Sequence, residues 1–340
     1  MARAKRKLGV GVLGLGFMGR THLAAYHAAE AAGFPCEVVA VCDRDRRAPG
    51  SIGEGNLRFS IDTNELYDPN RVVRYDSAGE LFNNPRIDIV SICTNTESHA
   101  ELTIRALAAG KHVLCEKPIS LDLQTVKNVA RAAKKAKTLC MPAMCMRFWP
   151  GWSLLKETIT KNTYGKVVSV AFQRLSSAPN WSTKFYKDPS RTGGALVDLH
   201  IHDADLVRYL FGMPASVKSA GSIDHVTTLY HYRNGPEHVV AEGGWNHTFG
   251  FPFRMRYAVV FEKATLDFDL LRDQKLILSK NGKAESVAFA PITGYDAEIR
   301  HFVDCVSKGG NGDFDKSKLI ATMDDAVGVT QLLAMERKSL

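Results

Sequence analysis

The stretch GGALVDLHIHDADLVRYLFG, residues 193–212, sets Asp198, His200, His202, Asp203 and Asp205 within eight positions. Carboxylates and imidazoles at this density can ligate a metal, move protons, or coat the wet face of a helix. The choice depends on which side chains share a face. Apolar residues recur at helical spacing from Ala195 to Phe211, with Gly193-Gly194 before them and Gly212 and Pro214 after, so one helix is expected. At about 100° per residue, Asp198, His202, Asp205 and Tyr209 fall within an arc of roughly 60°. Leu199, Leu206 and Leu210 flank that arc as a core stripe. His200 points about 160° away from His202, so the two imidazoles cannot chelate from a helix and no metal is expected. What remains is Asp198 with His202, a pairing that fixes the imidazole tautomer and raises the basicity of its other nitrogen. The bland alternative is a surface i, i+4 contact worth about 0.2–0.5 kcal/mol. What the rest of the chain binds decides between them.

The N-terminal half reads as a dinucleotide site. An alternating strand over residues 7–13 turns through Gly14-Leu15-Gly16-Phe17-Met18-Gly19 into helix formers that run to Ala32, and a second strand, EVVAVCD, ends on Asp43. In a G-x-G-x-x-G turn the first glycine allows the tight bend, the second lets a pyrophosphate approach, and the third permits close packing. The helix N-terminus offers unpaired N–H groups to the phosphates. Asp43 suits the ribose hydroxyls and repels a 2′-phosphate, which favours NAD over NADP. Arg44 beside it is suited to stacking on adenine or neutralising that extra phosphate, so NADP stays open. Strands and helices then alternate: IDIVSICT (87–94), a helix over 98–110 capped by Ser98, HVLCEKP, a helix beginning LDLQTV, and TLCMPAMC. This alternation predicts a doubly wound parallel sheet, whose ligand sits beyond the strand C-termini. Thr94-Asn95 and Glu116-Lys117-Pro118 occupy two such ends, and Lys117 there is a candidate for chemistry or for clasping a phosphate. Residues 45–75 read as an irregular insertion with a short helix near TNELYD.

From about residue 164, short β-like runs follow one another without helices, so a mostly antiparallel open sheet in a C-terminal α+β domain is expected. The division expected is 1–141 for the dinucleotide domain and 142–340 for the second, closed by a helix over DDAVGVTQLLAMERKS. One face of such a sheet needs cover, which points to a homodimer or homotetramer through it. His225, His231, His238 and His247 scatter over the strands and are read as structural. The net charge of +8 comes from interleaved basic and acidic residues and a basic tail, so no nucleic-acid partner is expected. No apolar run approaches about 20 residues, and the N-terminus lacks a cleavage site, so neither a membrane span nor a signal peptide is expected. Seven cysteines without a C-x-x-C pair fit reduced thiols in a cytoplasmic enzyme.

The motifs GLGFMGRTH, TNTESH, CEKP, MRFWP and GGALVDLHIHDAD, in this order, resemble the Gfo/Idh/MocA oxidoreductases over nearly the whole chain, residues 45–75 excepted. The resemblance implies a Rossmann domain joined to an open-sheet α+β domain, with Lys117, Asp198 and His202 catalytic. It implies that Phe17, Met18, Thr94, Asn95, His99 and Glu116 line the cofactor, and that Arg147 and Trp181 lie near nicotinamide or substrate. Trp149, Trp152, Asn180, Tyr186 and His200 are further candidates for the pocket wall. The activity implied is NAD(P)-dependent hydride transfer from a secondary alcohol of a sugar, polyol or glycoside. His202 is the base with Lys117 stabilising the alkoxide, or Lys117 is itself the base. A redox-neutral glycoside-cleaving or eliminating cycle, or a non-catalytic cofactor sensor, are the alternatives. Two positions depart from the family pattern: Thr94-Asn95-Thr96 replaces Thr-Pro-Asn, and His200 replaces a glycine.

Overall fold

The computed structural model describes residues 6–43, 67–179, 183–309 and 314–340. Residues up to 145 form a first unit with β1 (Leu8–Leu13), α1 (Phe17–Ala31), β2 (Cys36–Cys42), β3 (Val73–Tyr75), α2 (Ala78–Asn83), β4 (Ile89–Ile92), α3 (Thr96–Ala108), β5 (His112–Glu116), α4 (Leu123–Lys135) and β6 (Cys140–Ala143). The sheet order is β3-β2-β1-β4-β5-β6 and the paired strands run parallel, so the order reverses between β1 and β4. Val10, Val12, Val41, Ile89 and Val113 are fully buried, as strands covered on both faces must be. Because the strands are parallel, Gly14, Asp43, Thr94 and Lys117 all emerge at one edge.

The second unit holds α5 (Pro150–Thr160), β7 (Val167–Ser177), α6 (Thr183–Tyr186), α7 (Pro189–Thr192), α8 (Ala195–Asp198) and α9 (Ile201–Phe211). Seven strands follow: β8 (Ser216–Ser222), β9 (His225–His231), β10 (His238–His247), β11 (Arg254–Phe261), β12 (Thr265–Asp269), β13 (Leu276–Lys280) and β14 (Lys283–Ser286). They join β7 in one sheet ordered β14-β13-β12-β11-β7-β10-β9-β8, in which β7 and β10 are parallel and the other neighbours antiparallel. Strict in–out alternation on β9 and β11 buries Tyr230, Tyr257 and Val259 on the inner face. Trp152 of α5 packs edge-on to Phe268 and Tyr257 in that core, so it is core packing and not pocket wall as expected.

The sequence-based division needs one correction. Thr293–Val327 belongs to the first unit, because α10 (Gly294–Lys308) lays Ile299, Phe302 and Val303 against α1. A Thr293–Asp296 capping box starts this helix. The last helix, α11 (Met323–Ser339), contributes residues from Gly328 onward to the second unit. α3 also begins earlier than expected, with Asn95 and not Ser98 at its cap. The Ser98 hydroxyl donates to Asn95 O (2.9 Å) from inside the first turn. The six most buried cysteines sit in these cores, and none of the seven forms a disulfide. Among the described residues no helix is long and apolar enough to cross a membrane.

Candidate active site

Three glycines shape the turn after β1. Gly14 has φ +83°, a left-handed conformation that side chains resist. A Cβ on Gly19 would lie 1.8 Å from Gly14 O, so the turn closes on itself only with glycine there. A Cβ on Gly16 would meet nothing within 4 Å, and the residue is exposed: the space over it is open. Phe17 and Met18, half-buried, begin α1 beside it. Asp43 reaches back from the end of β2 and accepts from Leu15 N (2.6 Å), which ties the acid to the glycine turn.

The ends of β4 and β5 are braced from below. His99 is buried with Nδ1 2.8 Å from Pro118 O and Nε2 2.8 Å from Thr94 O. Both ring nitrogens thus face carbonyl oxygens, one from each loop, and the ring sits between the two loops. Burial holds its pKa below the ordinary value against the pull of both carbonyls. The Glu116 carboxylate turns into the interior, accepting from His22 Nε2 (3.0 Å) and from Lys117 N (3.2 Å). On its other side His22 Nδ1 lies 3.1 Å from Ser91 Oγ, which in turn shares a 3.0 Å hydrogen bond with Tyr26 OH. Lys117, half-buried, comes next after the braced Glu116 at the sheet edge. Thr94 shares a 2.7 Å hydrogen bond with Ser98, and Asn95 is exposed at the α3 cap.

In the second unit the expected single helix is two. α8 ends at Asp198, α9 starts at Ile201, and Leu199-His200 form the joint. Of the five acids and histidines there, three are buried. Asp203 takes two hydrogen bonds from Arg174 on β7, at 2.9 and 3.0 Å. Asp205 takes two from Arg147, at 2.8 and 2.7 Å. His200 is fully buried with Nε2 2.9 Å from Glu336 Oε2. Asp198 and His202 alone of the five are half-buried. Arg147, expected near substrate, is 3% exposed and grips Asp205 with its face over Tyr209, an arrangement that helps hold α9. Asp205 therefore does not share a working face with His202, as helical phasing had suggested. His200 likewise lies in the core, not in a pocket wall. No three His, Cys, Asp or Glu side chains of the described residues come together as metal ligands would.

Arg44, Trp181 and Asn180 lie outside the described residues. Sequence reasoning passed over His22, Ser91, Arg174, Tyr230 and Glu336. His22 stands within the quoted GLGFMGRTH motif, three residues past Gly19, and was the one of these with a signal.

Residues 8–144 match the profile of GFO_IDH_MocA, described as an oxidoreductase family with an NAD-binding Rossmann fold, and residues 152–267 match the GFO/IDH/MocA C-terminal domain. Myo-inositol 2-dehydrogenase of Thermotoga maritima is 28% identical over 219 residues, which are 60% of this chain and 63% of that protein. The scyllo-inositol 2-dehydrogenase (NAD(+)) of Bacillus subtilis is 26% identical over 269 residues, 74% of this chain and 75% of its own. A solved structure of levoglucosan dehydrogenase, in complex with NADH and levoglucosan, has the same fold: TM-score 0.80 at 21% identity, covering 98% of this chain and 97% of that one.

Proposed function

Since the chain belongs to the Gfo/Idh/MocA oxidoreductase family, we propose that it is an NAD-dependent dehydrogenase acting on a secondary alcohol of a sugar or polyol. The observation that carries this reading is the position of Lys117, on the sheet edge that also bears the glycine turn and Asp43. The turn fits a dinucleotide: open space over Gly16, α1 N–H groups behind it, and an acid at the end of β2. Gly14, Gly16, Phe17, Met18 and Gly19 would hold the pyrophosphate, Asp43 the ribose, and Thr94 and Asn95 the far side. When bound, NAD supplies the acceptor for the hydride. His202 takes the hydroxyl proton, Asp198 orients and stabilises the resulting imidazolium, and the Lys117 ammonium offsets the charge developing on the alkoxide oxygen.

The inositol and levoglucosan dehydrogenases among the relatives support a cyclic polyol or anhydrosugar as the substrate class. Incubation with NAD or NADP and a panel of inositols, anhydrosugars and glycosides tests this. Steady NADH accumulation with a cyclic polyol or anhydrosugar is expected. A product formed without net NADH would overturn it in favour of a redox-neutral cycle.

Assembly is part of the same reading. Leu229, Val240, Ala171 and Ala258 stand in register across four neighbouring strands on the outer face of the second sheet. Leu229 is 43% exposed, so this apolar row is suited to a second copy of the chain. Sedimentation should show a dimer or tetramer that Ala171→Glu dissociates; a monomeric wild-type protein would refute this. Buried, unbridged thiols, with burial raising Cys36 and Cys42 to about 11, suit a reducing cytoplasm.

A further inference from the structure

His200 is the joint between the two short helices that carry Asp198 and His202. Its N–H reaches five residues back to Ala195 O (2.8 Å) and closes α8. Its carbonyl opens α9, accepting from Asp203 N and Ala204 N at 3.0 Å each. The five-residue closure inserts a wide turn, so the angle between Asp198 and His202 is set here and not by helical periodicity.

Within the second unit the ring of the joint is held at Nε2, while its buried Nδ1 has no hydrogen-bond partner among the described residues. Nε2 lies 2.9 Å from Glu336 Oε2 on α11 and 3.2 Å from Tyr230 OH on β9. Tyr230 OH in turn donates to Glu336 Oε1 (2.9 Å), and Thr228 Oγ1 donates to Glu336 Oε2 (3.3 Å). On the third side, β10 passes with Gly243, where a Cβ would lie 2.7 Å from His200 Cβ and Nδ1. An acid, a hydroxyl and a missing side chain thus make one seat shaped for an imidazole. Burial disfavours charge on the ring, but Glu336 facing it raises the pKa overall, with Asp203 adding to the rise and Arg174 opposing it.

We propose that His200 is a positioning residue: seated against Glu336, Tyr230 and Gly243, it fixes the joint that aims His202 and Asp198 at each other and at the substrate. This rests on the reading of Asp198 and His202 as acting on substrate. An aim lost by about 1 Å costs on the order of 100-fold in rate, so a buried residue that touches no substrate can govern turnover.

The test compares His200→Ala with His200→Gln, whose amide can reach Glu336 as Nε2 does, by titrating ¹³C-labelled histidine in the protein without cofactor or substrate. The His202 signal is assigned with His202→Gln. The Ala variant is expected to move the His202 midpoint by about half a pH unit or more, and the Gln variant to return it close to wild type. Parallel kinetics with NAD and the panel compound oxidised fastest should show kcat falling about tenfold or more in the Ala variant, KM changing little, and kcat recovering in the Gln variant. Should the Ala variant not fold, Glu336→Gln, which keeps the shape and removes the facing charge, carries the same expectation. An unchanged His202 midpoint, or a thermal destabilisation with kcat intact, overturns the proposal while leaving the catalytic reading standing. If His202→Gln itself keeps wild-type turnover, the catalytic reading fails first.

Discussion

Arg147 grips Asp205 with two parallel hydrogen bonds, Nε to Oδ2 at 2.8 Å and Nη2 to Oδ1 at 2.7 Å, and its guanidinium lies 4.3 Å over the Tyr209 ring. Both side chains are almost wholly buried. Removing one member of such a pair strands a buried charge and costs about 3–5 kcal/mol. Asp205→Ala should therefore lower the urea midpoint sharply, while Arg147→Met with Asp205→Leu recovers much of the loss. A variant at Arg147 that kept stability but raised KM would restore the substrate role the resemblance implied.

The glycine turn separates folding from cofactor binding. Gly16→Ala adds a methyl to open space, so stability should hold while NADH affinity, read by fluorescence titration, falls about tenfold or more. Gly19→Ala drives a Cβ into Gly14 O and should cost both. Equal NADH affinity in wild type and Gly16→Ala would remove the pyrophosphate from this turn.

Asp43→Asn keeps an acceptor for Leu15 N–H and removes the charge. The turn should stay formed, and the preference for NAD over NADP should shrink, measured as the ratio of the two dissociation constants. An unchanged ratio would show that the acid does not exclude the 2′-phosphate.

His112 provides a pH signature. It accepts from Leu139 N at Nδ1 (3.0 Å), and burial lowers its pKa from the ordinary 6.5 to about 4. Between those values the unfolded chain takes up a proton that the folded chain refuses, so stability is full above 6.5 and falls as pH drops toward 4. The loss attributable to this ring is about 3 kcal/mol. His112→Asn, which cannot titrate but still accepts near Nδ1, should flatten that slope in urea unfolding across pH; an unaltered slope would contradict it.

The Rossmann half was legible because its cause is local. The strand, the glycine turn and the helix that form it are contiguous, and its strands are apolar runs covered on both faces. β3 spans three residues and β14 is wholly exposed, so neither carries an apolar pattern to read. The stretch 193–212 was legible only in part. Periodicity assumes an unbroken helix, and the joint at His200 breaks it. The partners of Asp203 and Asp205 lie 29 and 58 residues away on other elements, so local spacing could not tell buried anchors from working acids. α10 returns to the first unit for the same reason: its apolar face fits α1, far off in sequence.

The central claim is that Lys117 and His202 serve a single hydride transfer. Its most direct test is the single-turnover rate of NADH formation in Lys117→Ala and His202→Gln, at saturating NAD with the panel compound oxidised fastest, alongside the dissociation constant for NADH. The account predicts that each substitution slows the step about 10²–10⁴-fold, the pair together little more than either alone, with NADH binding within about twofold of wild type. A near wild-type rate in either variant, or a loss traced wholly to weaker NADH binding, would contradict it.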